Sequence, residues 1–282
     1  MRGQVAVVTD STAYLPDGVA ERYRVGVVSL HVVLGRRTGV EGRQVTPYDV
    51  ASALRERRLE VRTSRPTPAE FAATYRATGS REVVSVHLSR ALSGTFDAAV
   101  LGARHVADEG IAVRVVDSRT LAMGLGFAVL AAAESAASGA GPDHVEALAR
   151  STAEATRLFF SVDTLEHLRK GGRIGAAAAL VGTALAVKPL LHLDRGTLQP
   201  LEKVRTSSRA LARMEELAVA AAGDGECDVA VHHLAAQERA DLLAEQLRER
   251  LPRLRRLYVS EVGAVVGAHV GPGTLGVVVS RR

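Results

Sequence analysis

Val5-Ala-Val-Val8 runs directly into Thr9-Asp10-Ser11-Thr12. A short β-branched run of this kind reads as a buried strand, and polar side chains collect at its carboxyl end. Ligands of open α/β sheets sit at such ends. The same succession returns further on. Glu82 to His87 reads as a strand, Leu88 to Leu92 as a loop, and Ser93-Gly94-Thr95 as the start of a helix with Phe96 and Val100 on one face. That arrangement aims unpaired N–H groups and a positive helix end at one point, where an anion is favoured. Ser93 is then either the helix cap or a ligand donor. Val113 to Val116 is another strand, ending in Asp117-Ser118-Arg119.

Between these segments, Val25 to Leu34 reads as further strand and Gly35 to Gln44 as a charged loop. Thr46-Pro47-Tyr48-Asp49 and Thr67-Pro68-Ala69-Glu70 each open a helix with a capping threonine, a proline in the first turn and an acid near the positive end. Thr63-Ser64-Arg65-Pro66 reads as a polar loop between them. Leu121 to Ser135 is an alanine-rich helix, and a turn at Ser138 to Asp143 leads into another that ends near Glu154. The spacing predicts a boundary there, giving two mixed α/β lobes, 1–154 and 155–282.

In the second lobe, Phe159 to Val162 reads as a strand, and Asp163-Thr164 opens a helix that Gly171-Gly172 ends, with Arg173 just beyond. Leu190 to Leu193 and Leu198 to Val204 form a hairpin. Helices from Ser208 and Gln237 alternate with strands at Asp228 to Leu234 and Arg256 to Val262. Gly263-Ala-Val-Val-Gly-Ala-His-Val-Gly-Pro-Gly-Thr-Leu-Gly-Val277 then sets His269 among closely spaced glycines. This reads as a glycine-rich turn with exposed backbone N–H groups, where the imidazole offers a donor or a charge. It is either a packed core histidine or a binding point for an acidic small molecule.

Composition narrows the class. Of the 282 residues, 47% are hydrophobic, enough for one large or two ordinary cores. Cys227 is the single cysteine, so no internal disulfide forms, and no Cys/His spacing suggests a metal site. With no leader-like start, a reducing cytoplasm is the expected compartment. The apolar runs Leu121–Ala133 and Ala176–Val187 fall short of the ~20 residues of a spanning helix. Net charge is +5, from 36 Lys+Arg against 31 Asp+Glu. Without a basic run interleaved with aromatics, this reads as a mixed solvated surface rather than a nucleic-acid face.

Taken in order, Thr9-Asp10-Ser11-Thr12, Thr63-Ser64-Arg65-Pro66, Leu92-Ser93-Gly94-Thr95, Asp117-Ser118-Arg119, Val162 to Ile174, Lys188-Pro189, Lys203-Val-Arg-Thr206 and Gly263 to Val277 resemble the motifs of the DegV family. The resemblance spans nearly the whole chain. It implies two α/β lobes with a lipid tunnel between them, and a protein that binds a long-chain fatty acid. It further implies presentation of the carboxylate to a separate ATP-dependent fatty acid kinase subunit, which makes the acyl phosphate, with at most transient membrane contact.

By the same resemblance the carboxylate donors are Thr63, Ser93 and His269, with Ser64 and the Gly94 amide as helpers, while Arg173 and Arg205 lie on the face that docks the kinase. No cofactor, metal or catalytic residue of its own is expected, and no phosphate loop or kinase signature occurs in the chain. Aromatics at 4% suit an alkyl ligand, and Leu180 to Leu191 is the expected tunnel wall. Two positions depart from the family pattern: Arg65 replaces the usual glutamine, and Ala268 a common threonine. The competing reading is a serine acyl-hydrolase with Ser93 as nucleophile, His269 as base and Asp10 or Asp117 orienting it.

Overall fold

In the computed structural model, which describes residues 4–56, 59–180 and 187–282, the first buried run is strand β1 (Ala6–Asp10). Asp10 ends it: its carboxylate accepts the Thr12 N–H at 3.1 Å and folds Ser11–Ala13 into a 3-10 turn. Helix α1 (Val19–Tyr23) leads to β2 (Gly26–Val28) and β3 (His31–Leu34). The run expected as one strand is therefore two. It breaks at Leu30, whose N–H donates to the Ser11 hydroxyl at 3.0 Å. Strand β4 (Arg37–Val40) lies inside the expected charged loop, because Gly35 at φ 59° turns the chain back onto β3.

Helix α2 (Pro47–Glu56), strand β5 (Val61–Ser64) and helix α3 (Pro68–Ala77) follow. Both Thr-Pro openings act as helix starts. The Thr46 and Thr67 N–H groups donate to Asp49 and Glu70 at 2.8 and 2.7 Å. Thr63 and Ser64, expected in a loop, close β5 instead. Next come β6 (Glu82–His87), α4 (Thr95–Ala107), β7 (Ala112–Asp117), α5 (Met123–Ala137) and α6 (Pro142–Ala155).

The remaining elements are β8 (Thr156–Ser161), α7 (Glu166–Lys170), β9 (Lys188–Asp194), β10 (Thr197–Val204), α8 (Ser207–Ala222), β11 (Cys227–His233), α9 (Gln237–Arg250), β12 (Leu254–Glu261), α10 (Ala264–Val270) and β13 (Leu275–Arg281). Arg195 and Gly196, both at positive φ, make the two-residue turn of the β9–β10 hairpin. The expected glycine-rich turn is corrected: Ala264–Val270 within it form helix α10, stopped by Gly271 at φ 76°, and β13 begins at Leu275.

Two compact units result, one of Met1–His31 with Ser64–Ala155, the other of Val32–Thr63 with Thr156–Arg282. Residues 32–63, expected in the N-terminal lobe, group with the second unit.

In the first unit, β2-β1-β6-β7 form an all-parallel sheet. Such sheets need both faces covered. Val7, Val84 and Val116 pack with Leu125, Val129 and Ala132 of α5, whereas Val8 and Val83 pack with Phe71, Tyr75 and Ala99 of α3 and α4.

The second unit's sheet runs β10-β9-β8-β13-β11-β12, with only β11 and β12 parallel. Its core joins Val229, Val231, Val277 and Val279 to Met214 and Leu243. Of the expected tunnel wall, residues 181–186 lie outside the described residues, and Leu190 and Leu191 are fully buried. No helix among the described residues is long and apolar enough to cross a membrane.

Candidate ligand-binding site

Within the second unit, the excursion of residues 32–63 builds the surroundings of α10. Gly263, the N-cap residue, has no side chain to offer the helix. Glu41 supplies the cap from 224 residues away: its buried carboxylate accepts the Val265 N–H at 2.8 Å. The end of β5 delivers Thr63, whose hydroxyl lies 2.9 Å from His269 Nε2.

Glycines make the rest of the fit. A Cβ at Gly171 would overlap His269 Nδ1, one at Gly271 would overlap the His167 ring, and one at Gly273 would overlap the Asp163 carboxylate. The α7 segment and the α10 segment therefore interlock, each placing polar side chains over bare backbone of the other. Asp163 also holds Lys188 Nζ at 2.7 Å.

This packing decides what His269 can do. Nδ1 is buried without a hydrogen-bond partner among the described residues, and Gly171 walls it off. Only Nε2 and its Thr63 partner remain for a ligand. Burial, and then the nearby positive charge of Arg173, push the His269 pKa down to about 4. The imidazole is neutral at neutral pH and offers a hydrogen bond, not a charge. Arg173 is half-buried and donates from Nη1 to the Gly171 carbonyl at 2.6 Å. Arg205 is exposed between β10 and α8. The two predicted docking residues thus differ in setting.

The first unit carries Ser64, Ser93 and Gly94. Gly94, not Ser93, is the N-cap residue of α4. Ser93 stands one position earlier, accepts the Thr95 N–H at 3.3 Å and pairs with the Thr95 hydroxyl at 2.9 Å. Its loop is anchored where the Ser89 N–H donates to the Thr120 carbonyl at 2.8 Å. Ser64 is exposed, and the Arg65 side chain lies against Gly94, where any Cβ would overlap Nη1.

Beneath this loop runs a fully buried polar chain that the sequence reading missed. Asp10 Oδ1 accepts from the Thr12 N–H and hydroxyl, and Oδ2 accepts the Leu88 N–H and lies 3.0 Å from His87 Nδ1. His87 Nε2 lies 2.6 Å from the Ser85 hydroxyl, which lies 3.0 Å from the Tyr75 hydroxyl. The available signal was two polar residues, Ser85 and His87, at period-two spacing in an apolar strand.

The two carboxylates of the hydrolase reading are committed elsewhere. Both oxygens of Asp10 are engaged in this chain, and Asp117 accepts the Arg90 and Arg119 N–H groups. His269 Nδ1 has no hydrogen-bond partner among the described residues. Among the described residues no group of three or more His, Cys, Asp or Glu side chains could hold a metal ion.

A parallel-sheet unit with polar strand ends, joined in one chain to a mixed-sheet unit holding a histidine helix, defines a two-unit α/β protein. The chain belongs to the DegV family: the family model, described as "Uncharacterised protein, DegV family", matches residues 4–282. The chain is 55% identical over 285 residues to the DegV domain-containing protein SCO2569 of Streptomyces coelicolor, covering 100% of both. Two solved structures are similar throughout. The structure described as fatty acid binding of a DegV family protein from Thermus thermophilus has a TM-score of 0.93 at 31% identity, over 99% of this chain and 100% of that one. DegV from Bacillus subtilis, described as a fatty acid binding protein, has a TM-score of 0.89 at 33% identity over the same shares.

Proposed function

We propose that this protein binds a long-chain fatty acid and presents its carboxylate to a separate ATP-dependent kinase, which converts it to an acyl phosphate. The observation that carries the reading is the Thr63–His269 pair: a neutral imidazole, closed at Nδ1, holds a threonine hydroxyl in place through Nε2. With the Nε2 proton donated to Thr63 Oγ1, the Thr63 O–H is free to donate to a carboxylate. Ser93, Ser64 and the Gly94 amide of the first unit complete the proposed donor set. The binding of fatty acids by the Thermus and Bacillus proteins supports the ligand class.

Arg173 and Arg205 are the proposed kinase contacts, the protein itself transfers no phosphoryl group, and its residence is cytoplasmic. A hydrogen bond to a charged group contributes about 1.5–3 kcal/mol. Thr63→Ala, Ser93→Ala and His269→Ala should each weaken oleate binding about tenfold or more in titration calorimetry, with circular dichroism unchanged. Undiminished affinity in all three would remove these residues from the site.

A further inference from the structure

We propose that Arg65 reads the charge of the ligand head group, so that the protein selects an ionised carboxylate over a neutral head on the same alkyl chain. The proposal rests on the fatty-acid reading above and deepens it. Arg65 is exposed, and its guanidinium lies along the backbone of Gly94: a Cβ there would overlap Nη1 and press on Cδ and Cζ. The side chain is thereby laid against the loop at Gly94, the residue between Ser93 and Thr95, whose hydroxyls pair at 2.9 Å. Pro66, buried immediately after Arg65, and the Thr67 cap of α3 fix the backbone on its other side.

Arg65 makes no hydrogen bond or ion pair among the described residues. The acid in the first turn of α4, Asp97, is engaged by Arg90 at 3.3 Å, and the Arg90 guanidinium lies 5.1 Å from the centre of the Phe96 ring. A planar cation without a hydrogen bond or ion pair among the described residues therefore stands at Gly94, one position from the neutral Ser93 hydroxyl. Neutral donors already favour a carboxylate over an alcohol through charge-assisted hydrogen bonds, but a guanidinium adds a full positive charge, which strengthens the preference for the anion and makes it salt-dependent. Gly94 has a definite part in this: any side chain there would lift the guanidinium off the loop.

Competition binding of oleate and oleyl alcohol to wild type, Arg65→Gln and Arg65→Lys, at low and high salt, tests the proposal. Wild type should prefer oleate, the preference should fall about tenfold in Arg65→Gln with the alcohol's affinity unchanged, and Arg65→Lys should keep the salt dependence that Arg65→Gln loses. Being exposed, the position permits these changes without loss of fold, which thermal melting checks. An oleate-to-alcohol ratio equal in wild type and Arg65→Gln overturns the role of Arg65 while leaving the fatty-acid reading intact. A wild type that binds neither ligand overturns both.

Discussion

Gly171 and His269 fill one space: the imidazole occupies the volume that any side chain at 171 would take, with Nδ1 against the glycine backbone. Gly171 has φ −74°, so alanine is allowed there by the backbone and the conflict is steric alone. Overpacking of this kind costs about 1–3 kcal/mol. Gly171→Ala should lower the unfolding free energy read from urea denaturation by that amount and weaken oleate binding, because the ring that holds Thr63 is displaced. Gly141→Ala, where a Cβ meets nothing within 4 Å, should change neither. Equal behaviour of the two variants would dissociate His269 from Gly171.

The acid limb of stability carries a second expectation. His269 and His232 both have pKa values pushed down to about 4, principally by burial. With unfolded values near 6.5, the unfolded chain takes up protons first as pH falls. The stability conferred by each neutral ring is complete above about pH 6.5 and lost toward pH 4, by at most about 3 kcal/mol per group. Urea unfolding at steps from pH 7 to pH 5 should show the decline while most carboxylates stay ionised, and His269→Asn should reduce its slope. A flat profile over that window would contradict the neutral, buried assignment.

The Asp10–His87–Ser85–Tyr75 chain predicts a graded set of losses. Asp10→Ala leaves His87, the Thr12 N–H and hydroxyl and the Leu88 N–H without their acceptor and should cost about 3–5 kcal/mol. Ser85→Ala removes one partner of His87 and should cost about 1–3 kcal/mol. Urea denaturation reads both. The Ser85 hydroxyl resembles a triad nucleophile but is fully buried, so activated esters should not label it. Labelling of Ser85 in the native protein would show an opening that this packing does not allow.

How much of this was legible in the sequence depended on how local the cause was. The strand at Glu82–His87 and the Thr46 and Thr67 helix starts were readable, because apolar runs and capping residues act within a few positions. Helix α10 was not readable, since its cap is Glu41, 224 residues away. The break at Leu30 depends equally on Ser11. The proposed site residues Thr63, Ser93 and His269 were named through their motifs, but the reason His269 meets Thr63 through Nε2 lies in Gly171 against Nδ1, which sequence had marked only as a helix terminator.

Arg173 and Arg205 should no longer behave alike. Arg173 is half-buried, bonded to the Gly171 carbonyl and close enough to lower the His269 pKa, whereas Arg205 is exposed. Arg205→Ala should keep oleate affinity and slow phosphorylation by a cognate kinase, as loss of a rim charge does. Arg173→Ala should impair both, and should raise the His269 pKa in an NMR titration by removing a like charge. Identical effects of the two substitutions on ligand affinity would erase the distinction.

The central claim is that a fatty acid is this protein's ligand, and native mass spectrometry of protein purified from a bacterial host tests it most directly. The account predicts a long-chain fatty acid at near one-to-one stoichiometry, released by solvent extraction and depleted in the His269→Ala protein. Protein that carries no lipid and takes up none from a panel of saturated and unsaturated fatty acids would contradict it.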